Sequence, residues 1–236
     1  MGMWEQLGLV VMVAVFVLYP GLAQVAFSVF ACVHIDDGKG PAPENQQATW
    51  RYGYWVRNLN AECYLGTHKA FYVPIGIASI LIFCLAPPLI SLSLTWRVRK
   101  HLDEHHNQMV YGFLYGRYRR EYFFWDSVVH LQSLALVAVD VFGRGMLVLY
   151  QALLLLSVLM LIALVNIVAN PTRSRLLLLL EFCSQMVLCF TITLSLYFVD
   201  PDGSLADEAA GVFVGALILA VNVAMICFFF GGNSGY

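Results

Sequence analysis

Long runs of apolar residues with almost no charge are the feature that most limits what this chain can fold into. One run begins near Leu7, another ends near Phe230, and several more lie between them. A run of about 18 residues or more is long enough to cross the hydrocarbon core of a bilayer. Backbone groups in lipid must be hydrogen-bonded within their own segment, and the runs lack the alternation of barrel strands. Each run is therefore predicted to be a spanning helix.

The composition supports lipid as the main environment of the chain. Apolar residues make up 60% of the sequence and charged residues only 12%, whereas a soluble domain is about 25% charged. The net charge of −2 argues against nucleic acid as a partner. No glycine-rich phosphate loop and no zinc-type cysteine spacing occurs in the sequence, so we predict neither a cofactor nor a metal. The prediction is an all-α polytopic bundle in a lipid bilayer.

Six spans are predicted within a single transmembrane domain. They cover residues 7–33, 71–96, 122–142, 144–168, 176–199 and 209–230, with a loop at 34–70 and a basic linker at 97–121. The Pro20-Gly21 pair interrupts the first run, which leaves two interpretations, a kinked spanning helix or a cleaved signal peptide. Pro87-Pro88 in the second span frees backbone carbonyls that neighbouring helices must satisfy.

The distribution of Lys and Arg predicts the orientation of the spans. The linker at 97–121 contains six basic residues, and the turn after Asn170 contains two more, Arg173 and Arg175. Basic residues accumulate in cytoplasmic loops. We therefore expect the linker and both termini in the cytoplasm and the 34–70 loop outside.

Five polar residues inside the predicted spans are candidates for function. They are Asp126, His130, Asp140, Glu181 and Asn222. Asp126 and His130 lie one helical turn apart and can share one face. Ionisable groups within spans are costly and usually face other helices or water. A functional interpretation makes them an ion or proton path, and a structural one makes them interfacial pairs and interhelical hydrogen bonds.

Cysteine and histidine positions give two further hypotheses. Cys32 and Cys63 flank the 34–70 loop and can form a disulfide in an oxidising exterior, the alternative being two free thiols. His101 and His105 have the spacing of a metal-binding pair on a helix, but nothing else in the linker completes a site. A solvated, pH-sensitive linker is the simpler interpretation. No nucleophile-elbow pattern is present, so the chain is not predicted to be an enzyme.

Aromatic and basic residues alternate just before the third span. The set comprises Tyr111, Gly112, Phe113, Tyr115, Arg117, Arg119, Arg120 and Trp125. Cations meet anionic headgroups and rings settle at the interface, so this motif is predicted to lie on the cytoplasmic membrane surface. The alternative is a simple positive-inside anchor.

The motif, continued through Tyr122-Phe123-Phe124-Trp125-Asp126, resembles the carboxy-terminal membrane domain of large TRP-like proteins of algae, oomycetes and other protists. Those proteins often carry Cys-rich or EGF-like extracellular repeats. Cys32, Cys63, His68 and Pro87 match further features of that domain in order, so the resemblance covers about residues 25–200. One departure is that Gln132 and Ser133 stand where the family usually has an Arg-Lys pair.

The resemblance implies an ion-channel or sensory subunit, in a plasma or ciliary membrane rather than an organelle. It also implies association with itself or with other membrane subunits, and it makes the fifth and sixth spans the pore candidates. The alternative is a non-conducting structural or anchoring subunit of a larger membrane assembly. Cys-rich repeats do not occur within these residues. That leaves a short relative, a trimmed chain or a subunit that uses the membrane module alone.

Overall fold

The computed structural model describes residues 3–34, 52–102, 104–199 and 208–232. Helices account for 79% of it, which confirms the all-α class. The chain divides into two compact units, unit 1 at Met1–Met146 and unit 2 at Leu147–Tyr236.

The described part of unit 1 contains four helices and a small sheet. Helix α1 is Met3–Ser28 and strands β1, β2 and β3 are Cys32–Val33, Tyr54–Trp55 and Asn58–Glu62. Helix α2 runs His68–Val98, α3 is His105–Tyr115, and α4 is Trp125–Gly143 after a 3-10 turn at Arg120–Tyr122. The strands pair antiparallel in the order β1-β2-β3.

Unit 2 contains three helices in sequence. Helix α5 is Val148–Ala169, α6 is Arg175–Ser195 followed by a 3-10 turn at Leu196–Val199, and α7 is Glu208–Gly232. Asn170 ends α5 in the left-handed conformation, with φ of 44°, which asparagine tolerates better than most residues. Pro171 follows it and cannot continue the helix. Helix α6 packs against both α5 and α7.

Helices α1 and α4 pack side by side and run in the same direction. The rings of Phe16 and His130 lie 4.6 Å apart between centroids, and those of Phe27 and Phe142 lie 5.5 Å apart. Small side chains on α1 allow close contact with α2, because Ala23 and Ala26 are buried together with Cys84. Small residues let helices approach closely where packing drives their association.

A hydrogen bond between helices compensates for Pro88, one of the two prolines in α2. Pro88 has no N–H, so the carbonyl of Cys84, four residues earlier, lacks its normal helical donor. The buried hydroxyl of Tyr19 on α1 donates to this carbonyl at 2.9 Å. Helix α2 also widens into π-helical turns at His68–Tyr72 and Ile80–Leu85, and the second of these ends two residues before Pro87. The structure thus supplies the neighbouring partner that the sequence requires.

The connection between α1 and α2 folds back over the end of α1. The Nε1 of Trp55 donates to the Ser28 carbonyl at 3.2 Å, and the N–H of Val56 donates to the Ala31 carbonyl at 3.1 Å. The two carbonyls between them accept hydrogen bonds from side chains. The Phe30 carbonyl accepts from the Tyr64 hydroxyl, and the Val29 carbonyl accepts from His68 Nε2. Carbonyls at a helix end have no partner within the helix. We call this set of residues, 52–68, the cap.

His68 links the cap to the helices through both ring nitrogens. The Tyr64 N–H donates to Nδ1 at 2.9 Å, so the proton of the neutral ring lies on Nε2, which donates to Val29 at 3.0 Å. The ring is 2% exposed and lies edge-on to Trp55, with centroids 4.8 Å apart. The cap is therefore joined both to the end of α1 and to the start of α2.

A disulfide joins Cys32 and Cys63. It ties β1 to the end of β3, next to the cap hydrogen bonds, and Cys63 is fully buried. The sequence placed this pair at the two ends of the 34–70 loop. Residues 35–51 of that loop lie outside the described residues.

The observed boundaries differ from the predicted spans at three places. The first span was predicted to reach residue 33, but α1 ends at Ser28. The backbone carbonyls that follow accept hydrogen bonds from the cap instead of from a further helical turn. The 34–70 loop contains β2, β3 and the first residues of α2. The basic linker contains α3, whose Leu114 is fully buried and so gives the helix a packed face.

The length and composition of the helices identify a membrane protein. Among the described residues, five helices are long and apolar enough to cross a bilayer: His68–Val98, Trp125–Gly143, Val148–Ala169, Arg175–Val199 and Gly211–Phe228. The apolar stretch Met12–Ser28 of α1 is shorter than the same limit. In each of the five helices, at most 28% of the most apolar 18-residue segment is buried within the protein. Most of their apolar surface therefore requires lipid or partner helices.

Candidate functional site

A polar cluster in unit 1 centres on the carboxylate of Asp126. Ser91 Oγ on α2 donates to Asp126 Oδ2 at 3.0 Å. Arg117 Nη2 lies 3.8 Å from Oδ1, and His130 Nδ1 lies 3.5 Å from Oδ2. Three separate segments therefore converge on one acidic group.

Local sequence explains why Asp126 and His130 meet. Asp126 lies in the first turn of α4, where the positive end of the helix dipole stabilises a carboxylate. His130 follows at i+4 and stands on the same face. Both side chains are buried, at about a tenth of their full exposure. The sequence predicted this pairing.

The orientation of the His130 ring is fixed on several sides. Its Nδ1 lies 2.7 Å from the Asp126 backbone carbonyl, which can only accept, so Nδ1 carries the proton. The ring packs against Phe16 at 4.6 Å and Tyr19 at 4.9 Å between centroids. In the neutral ring, Nε2 is then a hydrogen-bond acceptor.

The cluster borders a partly open cavity of about 310 Å³. That volume is at the lower end of the range for small-molecule sites. One wall is apolar and the other carries Arg117, Asp126 and His130. The lining consists of Val13, Phe16, Val17, Tyr19, Pro20, Phe113, Arg117, Asp126, Val129, His130 and Ser133.

The aromatic and basic motif before α4 is partly a packing element. Leu114, Tyr118 and Trp125 are buried, and the Tyr115 hydroxyl donates to the Leu102 carbonyl at 2.9 Å. The remaining positions lie at the surface of unit 1 to different extents. They are Tyr111, Gly112, Phe113, Arg117, Arg119 and Arg120. The motif thus anchors α3 to the bundle, while Arg119 and Arg120 are exposed at its surface.

The other intramembrane candidates of the sequence lie apart from this cluster or in unit 2. Asp140, at the opposite end of α4, accepts from Arg144 at 2.9 Å and from Gln24 Nε2 at 3.2 Å. In unit 2, Asn222 Nδ2 donates to Thr191 Oγ1 at 3.0 Å and joins α7 to α6. Glu181 is exposed on α6. Asp140 therefore has the interfacial-pair geometry and Asn222 the interhelical hydrogen bond that the structural interpretation predicts.

The histidines of the basic linker do not form a helical pair. His101 precedes α3, which begins at His105, and its Nδ1 lies 2.7 Å from Glu104 Oε1. Within the described ranges, no group of three or more potential ligands is placed to hold a metal ion.

Two members of the site could not be selected from the sequence. Ser91 and Tyr19 both come from other helices, and nothing in their immediate sequence distinguishes them from ordinary span residues. The only local signals are prolines, since Tyr19 precedes Pro20 and Ser91 follows Pro88 by three residues. Proline marks backbone that needs an external partner, but it does not say which side chain provides it.

The spanning-length helices and the buried charged cluster define the class of the chain: it is a helical integral membrane protein. No family model matches it, and no solved structure matches it either. Its sequence is similar to the cysteine repeat modular protein A of Toxoplasma gondii, with 25% identity over 129 residues. That match covers 53% of this chain but 4% of the Toxoplasma protein, so the chain spans only a small part of that relative's length.

Proposed function

We propose that the chain is a TRP-like membrane module that acts as an ion-channel or sensory subunit. The observation that carries the proposal is the charged cluster beside the cavity in unit 1. Arg117 and His130 lie beside the Asp126 carboxylate at the start of an apolar helix. Ionisable groups in such a position are costly and are typical of ion and proton pathways and of sensing elements.

The resemblance to TRP-like domains gains support from the position of this cluster. Asp126 is the acidic residue that ends the recognised motif, and Arg117 belongs to the same motif. Gln132 and Ser133 replace the basic pair of that family, yet here Arg117 and His130 lie beside the acidic group. The chain thus supplies the positive charge of Arg117 to Asp126 from another position.

The proposal includes six spans with both termini in the cytoplasm. The first of these spans is α1, whose apolar stretch Met12–Ser28 is shorter than each of the other five. The proposal also includes a plasma or ciliary location and assembly with further copies or other membrane subunits. Helices α6 and α7 support assembly, because only 6% and 0% of their most apolar windows are buried within this chain. They also carry Glu181 and Asn222, so they are the proposed pore-lining pair.

A non-conducting anchoring subunit is the second candidate. The similarity to the Toxoplasma protein favours it, because the matched part is 4% of a protein whose name describes cysteine repeats and modules. A small membrane domain in a long modular protein is enough to hold the rest at a membrane. In that case the polar residues would serve packing alone.

Ion conductance of the purified protein in planar bilayers distinguishes the two candidates. We expect single-channel currents that Asp126→Asn or Asn222→Leu alters in amplitude or open probability. Asp140→Asn is the matched control, because Asp140 is 46% exposed in a pair with Arg144 and lies away from the cluster. Exposed pairs of this kind contribute about 0–1 kcal/mol.

The absence of currents from folded, assembled protein would reject an autonomous channel and support the anchoring subunit. Currents that all three variants leave unchanged would show that neither the cluster nor α7 contributes to conduction. Folding is checked by monodisperse size-exclusion profiles of each variant in the same detergent.

A further inference from the structure

We propose that the cavity in unit 1 binds one anionic phospholipid, with the phosphate at Arg117 and an acyl chain along the apolar wall. This inference concerns binding and does not depend on conductance. It follows from the walls of the cavity, the free hydrogen-bonding capacity of Arg117 and the charge at the cavity mouth.

The apolar wall suits a hydrocarbon chain. Helix α1 contributes Val13, Phe16 and Val17, and α3 contributes Phe113 from the facing side. The rings of Phe16 and Phe113 lie 6.1 Å apart between centroids. The cavity is partly open, and apolar surface in contact with lipid is filled by lipid chains rather than by water. A small inorganic anion would leave this wall without a partner.

Arg117 has donors that the protein leaves available. Its nearest carboxylate oxygen, on Asp126, is 3.8 Å away, which is beyond hydrogen-bond distance. The guanidinium carbon lies 4.7 Å from the centroid of the Tyr118 ring, so one face is covered while the N–H edge is open. No other acceptor for Arg117 occurs among the described residues. The side chain is 43% exposed, and a guanidinium fork matches a phosphate well.

The balance of charge at the mouth selects an anionic headgroup. Asp126 Oδ2 accepts from Ser91 and this side chain is largely buried, whereas the Arg117 side chain is 43% exposed and so meets a headgroup first. Arg119, two residues from Arg117, is exposed. Each cation near an anionic membrane surface adds to the attraction of acidic lipids. A zwitterionic headgroup would gain much less from the same site.

The position of the cavity along the helices fits headgroup depth. Arg117 precedes the first turn of α4, and the disulfide-bonded Cys32 lies at the other end of that helix, where a Cβ on Gly145 would be 3.5 Å from the Cys32 carbonyl oxygen. The phosphate would therefore stand at one membrane boundary and the acyl chain would extend inward beside α1.

Native mass spectrometry of the detergent-solubilised protein tests the proposal. The titrants are phosphatidylglycerol, phosphatidylcholine of equal chain length and inorganic phosphate. We expect a single tightly bound phosphatidylglycerol, with weaker binding of the other two. Arg117→Gln should weaken that binding about tenfold, because a charge-assisted contact is lost.

Matched variants separate the site from general surface effects. Arg119→Gln removes an equal charge outside the cavity lining and should change binding by about twofold or less. Val13→Trp fills the cavity and should abolish tight binding with Arg117 intact, whereas Val10→Trp, one turn earlier and outside the lining, should not. Arg117→Lys keeps the charge and should retain part of the affinity. It replaces the Gln variant if that fails to fold.

Several results would overturn the proposal. Equal binding of phosphatidylcholine would show that the charge is not recognised. Binding of inorganic phosphate as tight as that of the lipid would show an anion site without a chain. Equal weakening by Arg117→Gln and Arg119→Gln, or unchanged binding in Val13→Trp, would show general surface association.

Discussion

Tyr19 makes a hydrogen bond that α2 cannot make for itself. The Cys84 carbonyl has no N–H donor four residues later because that position is Pro88, and the Tyr19 hydroxyl donates to it instead at 2.9 Å. Tyr19 is 1% exposed, so water cannot replace it. A buried carbonyl left without a donor is destabilising.

We predict that Tyr19→Phe lowers the free energy of unfolding by about 1–3 kcal/mol, the cost of an unsatisfied buried polar group. In a Pro88→Ala background the same change should cost much less, because the alanine introduced there supplies the missing N–H to the Cys84 carbonyl. Unfolding in mixed micelles titrated with SDS provides the measurement.

Tyr72→Phe is the matched control, since Tyr72 is 38% exposed and packs against Trp55 through its ring. It should change stability only slightly. An equal cost of Tyr19→Phe with and without Pro88 would contradict the proposed compensation.

Only some residues of the polar cluster around Asp126 could be predicted from the sequence. Asp126 and His130 were predictable because their i, i+4 spacing fixes a common face on any helix. Ser91 was not, because its contact depends on which helix α4 packs against and in which register. Spacing within one helix is encoded locally, whereas contacts between helices emerge only from packing.

Close approach of two elements depends on a single glycine in α2. A Cβ at Gly76 would lie 2.7 Å from the Phe30 ring and 2.8 Å from Val29 Cγ1, at the end of α1. These distances are well inside ordinary contact. Gly21 in α1 differs, since a Cβ there would meet no atom within 4 Å. Both glycines lie inside helices, so they form a natural pair for comparison.

We predict opposite effects of alanine at these two positions. Gly76→Ala should destabilise the protein by about 1–3 kcal/mol through overpacking against α1. Gly21→Ala should stabilise it by about 0.5–1 kcal/mol, because alanine loses less entropy in a helix. Thermal unfolding in one detergent gives the comparison, and a similar response at both positions would refute close packing at Gly76.

The disulfide stabilises the element formed by the cap and the ends of α1 and α2. The loop it closes has a sequence separation of 31 residues. We predict that replacing both Cys32 and Cys63 by Ser costs about 3–4 kcal/mol, from the restored entropy of the unfolded chain.

Thermal unfolding with and without a reductant measures this effect. Reductant should affect the wild type and leave the double variant unchanged. Cys227→Ser is the control, because Cys227 is a free, exposed cysteine. A double variant as stable as the wild type would show that the cap hydrogen bonds suffice alone.

At the scale of elements, the sequence predicted most helices but not the details of their connections. Apolar run length placed α4 and α5 within a few residues, since a span must match the bilayer. It did not reveal α3 or the three-stranded sheet. Those elements are short, and they are stabilised by tertiary contacts such as the buried Leu114 and the cap hydrogen bonds.

At the scale of the molecule, the orientation predicted from Lys and Arg is open to direct measurement. Asn60 in the cap and Lys100 after α2 are both exposed and lie beyond opposite ends of α2. We predict that a membrane-impermeant thiol reagent added to intact cells labels Asn60→Cys but not Lys100→Cys. Permeabilised cells should give labelling at both.

Both cysteine substitutions are introduced into a variant in which the free cysteines are replaced and the disulfide is kept. Labelling of Lys100→Cys alone would invert the topology. Labelling of both positions in intact cells would place both ends of α2 on the outer side and contradict a spanning α2.

The cap also has a mechanical consequence. The four successive carbonyls from Ser28 to Ala31 accept hydrogen bonds from Trp55, Val56, Tyr64 and His68. A force applied to the chain between Ala31 and Trp55 therefore acts on all four hydrogen bonds in parallel. The covalent link between Cys32 and Cys63 shares that load. A tensile force on the connection between α1 and α2 is therefore transmitted to the ends of both helices together.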